Sequence, residues 1–201
     1  MLVIGLTGGI GTGKSEVSRI LREWGATVID ADLVGHEAYR PHSPAWREVV
    51  AAFGESILGP SDEIDRKRLG AIIFNDADAR ARLNSMMHPR MAEMVKEKID
   101  LLRQQGEDLV VLEAAVLIEA GWNSLVDEVW VTHSPEGEVI NRLRQRNNLS
   151  EEEAVSRIRS QLSHEERAKH AHVTVRNSGS MDELLEEIKF LWADRVKGKV
   201  E

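Results

Sequence analysis

Apolar positions along the chain fall into two kinds of run. Short, nearly unbroken β-branched or aliphatic stretches cover residues 2–6, 27–29, 109–112, 128–132 and 173–176 and read as strands. Between most of them the spacing becomes helical. Val17, Ile20, Leu21 and Trp24 form one stripe, closed by Gly25 where a left-handed C-cap fits. Val139, Ile140 and Leu143 form a second, behind Ser134 and Pro135 as N-cap and first helical residue. Ser150 with Glu153, and Ser180 with Glu183, have capping-box spacing. The helices they open carry Val155, Ile158 and Leu162, then Leu184, Leu185, Ile188, Leu191 and Trp192. Strands joined through helices pair in parallel, so the expected fold class is α/β, a five-stranded parallel sheet in a three-layer α/β/α arrangement.

Residues 33–108 break this rhythm. No strand is evident there, and the interval is far longer than a simple crossover, so it reads as a helical insertion. Helices are expected over 45–53, 66–74, 77–87 and 90–103. The chain then divides into a core of residues 1–32 and 109–201 and an insertion of 33–108.

The 201 residues, 42% of them apolar and 30% charged, suffice for a packed core and fit neither disorder nor a disulfide-stapled miniprotein. Cysteine is absent, which removes disulfides, thiolate metal sites and thiol nucleophiles together and fits a reducing, cytoplasmic setting. The first apolar run is shorter than a signal-peptide core and has no basic flank, and no stretch approaches the roughly 18 apolar residues of a membrane helix. With 26 basic against 34 acidic residues the net charge is −8, which argues against broad nucleic-acid binding but permits a local basic pocket for a phosphorylated ligand.

Such a pocket has a clear candidate. Gly8-Gly9-Ile10-Gly11-Thr12-Gly13-Lys14-Ser15 matches G-x-x-x-x-G-K-[ST], directly after the first strand and before the first helix. Glycines let backbone N–H groups wrap phosphates, the helix N-terminus adds its positive end, Lys14 reaches the β- and γ-phosphates, and Ser15 ligates Mg²⁺. A P-loop enzyme also needs a carboxylate near the metal, and Glu113 closes the apolar run before it; a strand-end acid facing solvent is the plainer alternative. Asp30-Ala31-Asp32 ends the second strand, where ligands of open α/β sheets gather. Either carboxylate suits a proton acceptor, and Asp30 equally suits a cap. Arg142 and Arg146 share a helix face and suit a phosphate clamp, or else a solvated ion-pair face. His88-Pro89 alone reads as a turn, and His164, His170 and His172 have no zinc spacing. Trp24, Trp130 and Trp192 read as core.

The ordered set of Ile4 to Ser15, Val28-Ile29-Asp30-Ala31-Asp32, Phe53-Gly54, Ile64-Asp65-Arg66 with Leu69, His88-Pro89, Val116-Leu117-Ile118-Glu119 and Arg142 with Arg146 resembles the dephospho-CoA kinase family over nearly the whole chain. The resemblance implies transfer of the ATP γ-phosphoryl group to the ribose 3′-hydroxyl of dephospho-CoA, with Mg²⁺. It implies a P-loop fold with the sheet in nucleoside-monophosphate-kinase order, a CoA-binding insertion, and a helical lid over about residues 135–170. Asp32 would be the catalytic base, with Lys14, Arg142 and Arg146 at the transferring group. Gly8 through Ser15 and Glu16 would surround the ATP phosphates, with Asn177 beside adenine. His88, Leu117 and Glu119 would join Asp32 on the acceptor side, and Ser15 and Glu113 would ligate the metal. The expected partner is the small-molecule substrate alone, with neither nucleic acid nor membrane on the grounds of charge and hydropathy above, and the chain is expected to be a monomer or small homo-oligomer. Glu113 stands where aspartate is common in the family, Ala115 where proline is common, Glu16 where threonine often follows, and His172 where aspartate is usual. A P-loop kinase for another small acceptor, and a non-catalytic nucleotide-binding protein, are the alternatives.

Overall fold

All five apolar runs become strands of one sheet. A computed structural model describes residues 1–199, apart from the side chain of Asn75. In it β1 (Leu2–Gly8), β2 (Thr27–Asp30), β3 (Leu109–Glu113), β4 (Glu128–His133) and β5 (Val173–Arg176) lie in the order β2-β3-β1-β4-β5. The pairs β1/β3, β1/β4 and β4/β5 are parallel, with Leu6 opposite Glu113 and Gly8 opposite Thr132. Parallel neighbours require crossovers, and helices supply them. These are α1 (Lys14–Glu23) after β1, then α2 (Ala31–Ala38), α3 (Pro44–Phe53), α4 (Arg66–Asn75) and α5 (Ala77–Gln104) between β2 and β3. After β4 come α6 (Glu136–Asn147), α7 (Glu151–Arg159) and α8 (His164–Ala168), and α9 (Met181–Leu191) follows β5.

The chain forms two compact units, Met1–Ile29 with Ile99–Glu201, and Asp30–Lys98. In the first, Leu2, Ile4 and Leu6 of β1 and Leu109 and Val111 of β3 alternate onto one face of the sheet. There they bury against Val17, Ile20 and Leu21 of α1 and Leu184, Ile188 and Leu191 of α9. Both ends of the glycine-rich loop are therefore fixed, because β1 and α1 share this core. In the second unit Ala38, Ala45, Val49, Ile57, Ile64, Leu69, Leu83 and Met87 form a separate core.

Four local features differ from the sequence reading. Strand β1 runs on through Thr7 and Gly8, which pair with Val131 and Thr132, so the loop begins inside the sheet. Helix α2 forms where none was expected, because the Asp30 carboxylate accepts the N–H of Asp32 at 2.8 Å and caps it. Helix α5 is continuous where two helices flanking His88-Pro89 were expected. Pro89 removes one backbone donor, yet Leu83, Met87, Met91 and Met94 carry the apolar stripe straight past it into the second core, and that burial outweighs the loss. Ser134 is not the cap of α6, which Pro135 supplies; the Ser134 hydroxyl donates instead to the Asn177 carbonyl at 2.6 Å. Both expected capping boxes, at Ser150 and Ser180, are formed. Among the described residues no helix is long and apolar enough to cross a membrane.

Candidate active site

The loop between β1 and α1 is braced from within. Thr12 Oγ1 lies 2.8 Å from the Gly9 carbonyl and 2.6 Å from Thr132 Oγ1, a buried pair that ties the loop to β4. Gly13 is the N-cap of α1 in the left-handed region, with φ 91°. A Cβ there would overlap Asn177 Nδ2, which donates to the Thr12 carbonyl at 3.1 Å. Left-handed strain and overlap act together, so Gly13→Ala is expected to destabilise the protein by about 2–4 kcal/mol in urea unfolding. An unchanged midpoint would show that the loop relaxes around a methyl group.

Lys14 and Ser15, the first two residues of α1, converge on the end of β3. Lys14 Nζ and Ser15 Oγ each lie 2.9 Å from Glu113 Oε1, which the register of β3 beside β1 brings into reach. Burial pushes the Glu113 carboxyl up, but the Lys14 ammonium and the Ser18 and Ser15 hydroxyls outweigh this and hold it below the usual carboxylate range. The carboxylate is thus ionised at neutral pH beside the lysine. Lys14 and Ser15 border a cavity of about 940 Å³ that Ala115, Arg142, Arg146 and Asn177 also line.

Arg142 and Arg146 stand one turn apart on α6 in different settings. Arg142 donates to the Gly11 carbonyl at 3.3 Å, the Asn177 carbonyl at 3.0 Å, Ser134 Oγ at 2.9 Å and Glu138 at 3.1 Å. It therefore holds the loop to α6 and to the end of β5. Arg146 is exposed at the cavity. Glu16 also lines the cavity and pairs with Arg19 one turn on.

The other sequence candidates lie elsewhere. Leu117 is fully buried, so close beneath Gly5 that a Cβ on that glycine would come within 2.6 Å of it. Its side chain packs under β1. Glu119 accepts from Arg167 at 2.6 Å, and Arg167 is only 2% exposed. Arg167→Met is expected to cost about 3–5 kcal/mol if the carboxylate is left uncompensated, and less if Glu119 turns to water; thermal melts of the single and of Glu119→Gln/Arg167→Met separate the two. In the second unit, Asp30 is occupied as the α2 cap, Asp32 is exposed in the first turn of that helix, and His88 is half-buried on α5. The cap starts α2 at Ala31, between the two carboxylates, and so gives Asp30 and Asp32 different settings. Sequence reasoning missed the bracing roles of Thr12, Thr132, Ser134 and Arg167, and also Gln161, whose Oε1 accepts the Ile10 N–H at 2.7 Å. Each acts through a long-range contact without spacing of its own.

Residues 2–183 match the model of one family, dephospho-CoA kinase. The chain belongs to the dephospho-CoA kinase family. A dephospho-CoA kinase of Geobacter sulfurreducens is 46% identical over 195 residues, covering 97% of this chain and 99% of the relative. Among solved structures, a Thermus thermophilus protein superposes with a TM-score of 0.80 at 31% identity, covering 97% of this chain and 98% of that one. Dephospho-CoA kinase from Campylobacter jejuni does so with 0.73 at 28% identity, covering 98% of each. Two of the positions set apart in the sequence have structural roles that other residues could fill. His172 Nδ1 accepts the Val129 N–H at 3.0 Å, which a carboxylate oxygen would equally do. Ala115 offers its main-chain carbonyl to Thr7 Oγ1 at 3.3 Å, and any residue supplies that group.

Proposed function

We propose that this chain transfers the γ-phosphoryl group of ATP to the ribose 3′-hydroxyl of dephospho-CoA, giving CoA and ADP. The observation that carries this reading beyond family membership is the convergence of Lys14 and Ser15 on Glu113 at the mouth of an intact phosphate loop. Loop amides and the start of α1 bind the ATP phosphates, and Lys14 turns from Glu113 onto the β- and γ-oxygens. Ser15 Oγ and Glu113 Oε1 are two oxygens brought together beside the phosphate loop, 2.9 Å apart, and these two residues would hold Mg²⁺. The metal supplies charge neutralisation at the phosphate oxygens. Arg142 keeps the loop in shape, and Arg146, untethered by the loop, adds positive charge at the transferring group. Asp32 takes the proton of the acceptor hydroxyl, and the helical unit that carries it, with His88, binds dephospho-CoA. Glu119 and Leu117 serve by shaping the segment after β3.

Incubation of the protein with Mg-ATP and dephospho-CoA is expected to yield CoA by mass spectrometry, and 3′-deoxy-dephospho-CoA is expected to yield no phosphorylated product. Demonstrated ATP binding without CoA formation would move the acceptor to another small molecule.

A further inference from the structure

One contact of the phosphate loop reaches it from the connection between α7 and α8. Gln161 Oε1 accepts the Ile10 N–H at 2.7 Å, and a Cβ on Gly9 would lie 3.7 Å from the same oxygen, so the carboxamide rests directly on the loop backbone. A backbone donor fixes which way the amide faces, because only the oxygen can accept from it. The Nε2 donors are consequently turned from Ile10, and no hydrogen bond engages them among the described residues. Gln161 also lines the nucleotide cavity. Its backbone is held in place, since the Gln161 N–H donates to the Ile158 carbonyl at 3.2 Å and Ile158 packs with Ile10 and Leu149 against Val139, Leu143 and Ala154. The structure thus contains a pre-positioned neutral donor beside a loop built for anions, with most of its rotamer entropy already lost.

We propose that Gln161 is a phosphate-binding residue, its carbonyl anchored on Ile10 and its Nε2 donating to a phosphate oxygen of the bound nucleotide. This rests on the reading that nucleotide phosphates occupy the loop. Two variants separate donation from anchoring. Gln161→Glu keeps an acceptor for the Ile10 N–H but replaces the donor by a negatively charged oxygen, whereas Gln161→Ala removes both. Affinity for a non-hydrolysable Mg-ATP analogue, measured by calorimetry on folded variants, is expected to fall about tenfold in Gln161→Ala, as for a lost hydrogen bond to a charged group. It should fall several-fold further in Gln161→Glu, where like charges meet. Glutamate binding as well as wild type, or better than alanine, would make Gln161 an anchor only and overturn the proposal. Tighter binding by alanine would overturn it too, by making Gln161 a competitor of phosphate. Lys14→Ala is the control for the loop itself: if wild type fails to bind nucleotide or Lys14→Ala binds equally well, the reading of the loop fails and takes this proposal with it.

Discussion

Lys14→Ala is expected to lower kcat/KM for phosphoryl transfer by at least about 10²–10³-fold while leaving the far-ultraviolet spectrum unchanged, because Lys14 is the one loop side chain able to place a full positive charge on the β- and γ-oxygens. The same variant has a second readout. In the wild type, burial raises the Glu113 carboxyl and Lys14 with its hydroxyl neighbours lowers it by more. With the lysine gone, burial opposes the remaining hydroxyls alone, and the Glu113 pKa moves up. The sign for stability follows. A depressed native pKa contributes stability that is present above the ordinary carboxylate value of 4.5 and lost as pH falls through the native value. The destabilisation by Lys14→Ala is therefore expected in full at neutral pH and should shrink on acidification, as urea midpoints at pH 7 and pH 4 would show. Unchanged kinetics would remove the phosphate site. A stability difference that persists through acid would remove the ion pair as its cause.

Most of the sheet was legible because its signals are local. A parallel strand buried on both faces is mostly apolar, so residues 109–112 and 129–131 announce themselves, and the loop motif between a strand and a helix locates the phosphate site. What stayed hidden depends on partners distant in sequence. Nothing near Ser134 shows that its hydroxyl bonds the Asn177 carbonyl, which displaces the α6 cap by one residue. Pro89 looks like a break until the second core demands a continuous stripe from Leu83 to Met94. Leu117 stands in the Val116-Leu117-Ile118-Glu119 segment of the resemblance, and only the approach of Gly5 shows that its side chain packs under β1. Gln161 lies in a polar connection with no periodicity to mark it, and its meaning comes from a backbone donor about 150 residues away, as the 2.7 Å contact with Ile10 shows. Chemistry that resides in a contiguous motif can be read from sequence, and chemistry assembled by topology needs coordinates.

The residue pattern left the two carboxylates at the end of β2 level and the resemblance pointed to Asp32, and local geometry now makes them separable by experiment. Asp30 spends its carboxylate on the N–H groups of Asp32 and Leu33, at 2.8 and 3.4 Å, a task that asparagine performs about as well. Asp30→Asn is expected to keep both stability and turnover within about threefold, since the cap survives and no proton is exchanged there. Among the described residues the Asp32 side chain has no comparable partner, so Asp32→Asn is expected to change little in the fold. Its expected effect is on chemistry: kcat should fall by about 10²–10⁴-fold with nucleotide affinity preserved, because an amide of the same shape cannot accept the proton of the attacking hydroxyl. The contrast between the pair matters more than either value. Loss of kcat in Asp30→Asn with Asp32→Asn active would reverse the assignment. Comparable small effects in both would mean that no carboxylate of this segment acts as the base, and that alignment and charge neutralisation by the phosphate loop carry the reaction without one.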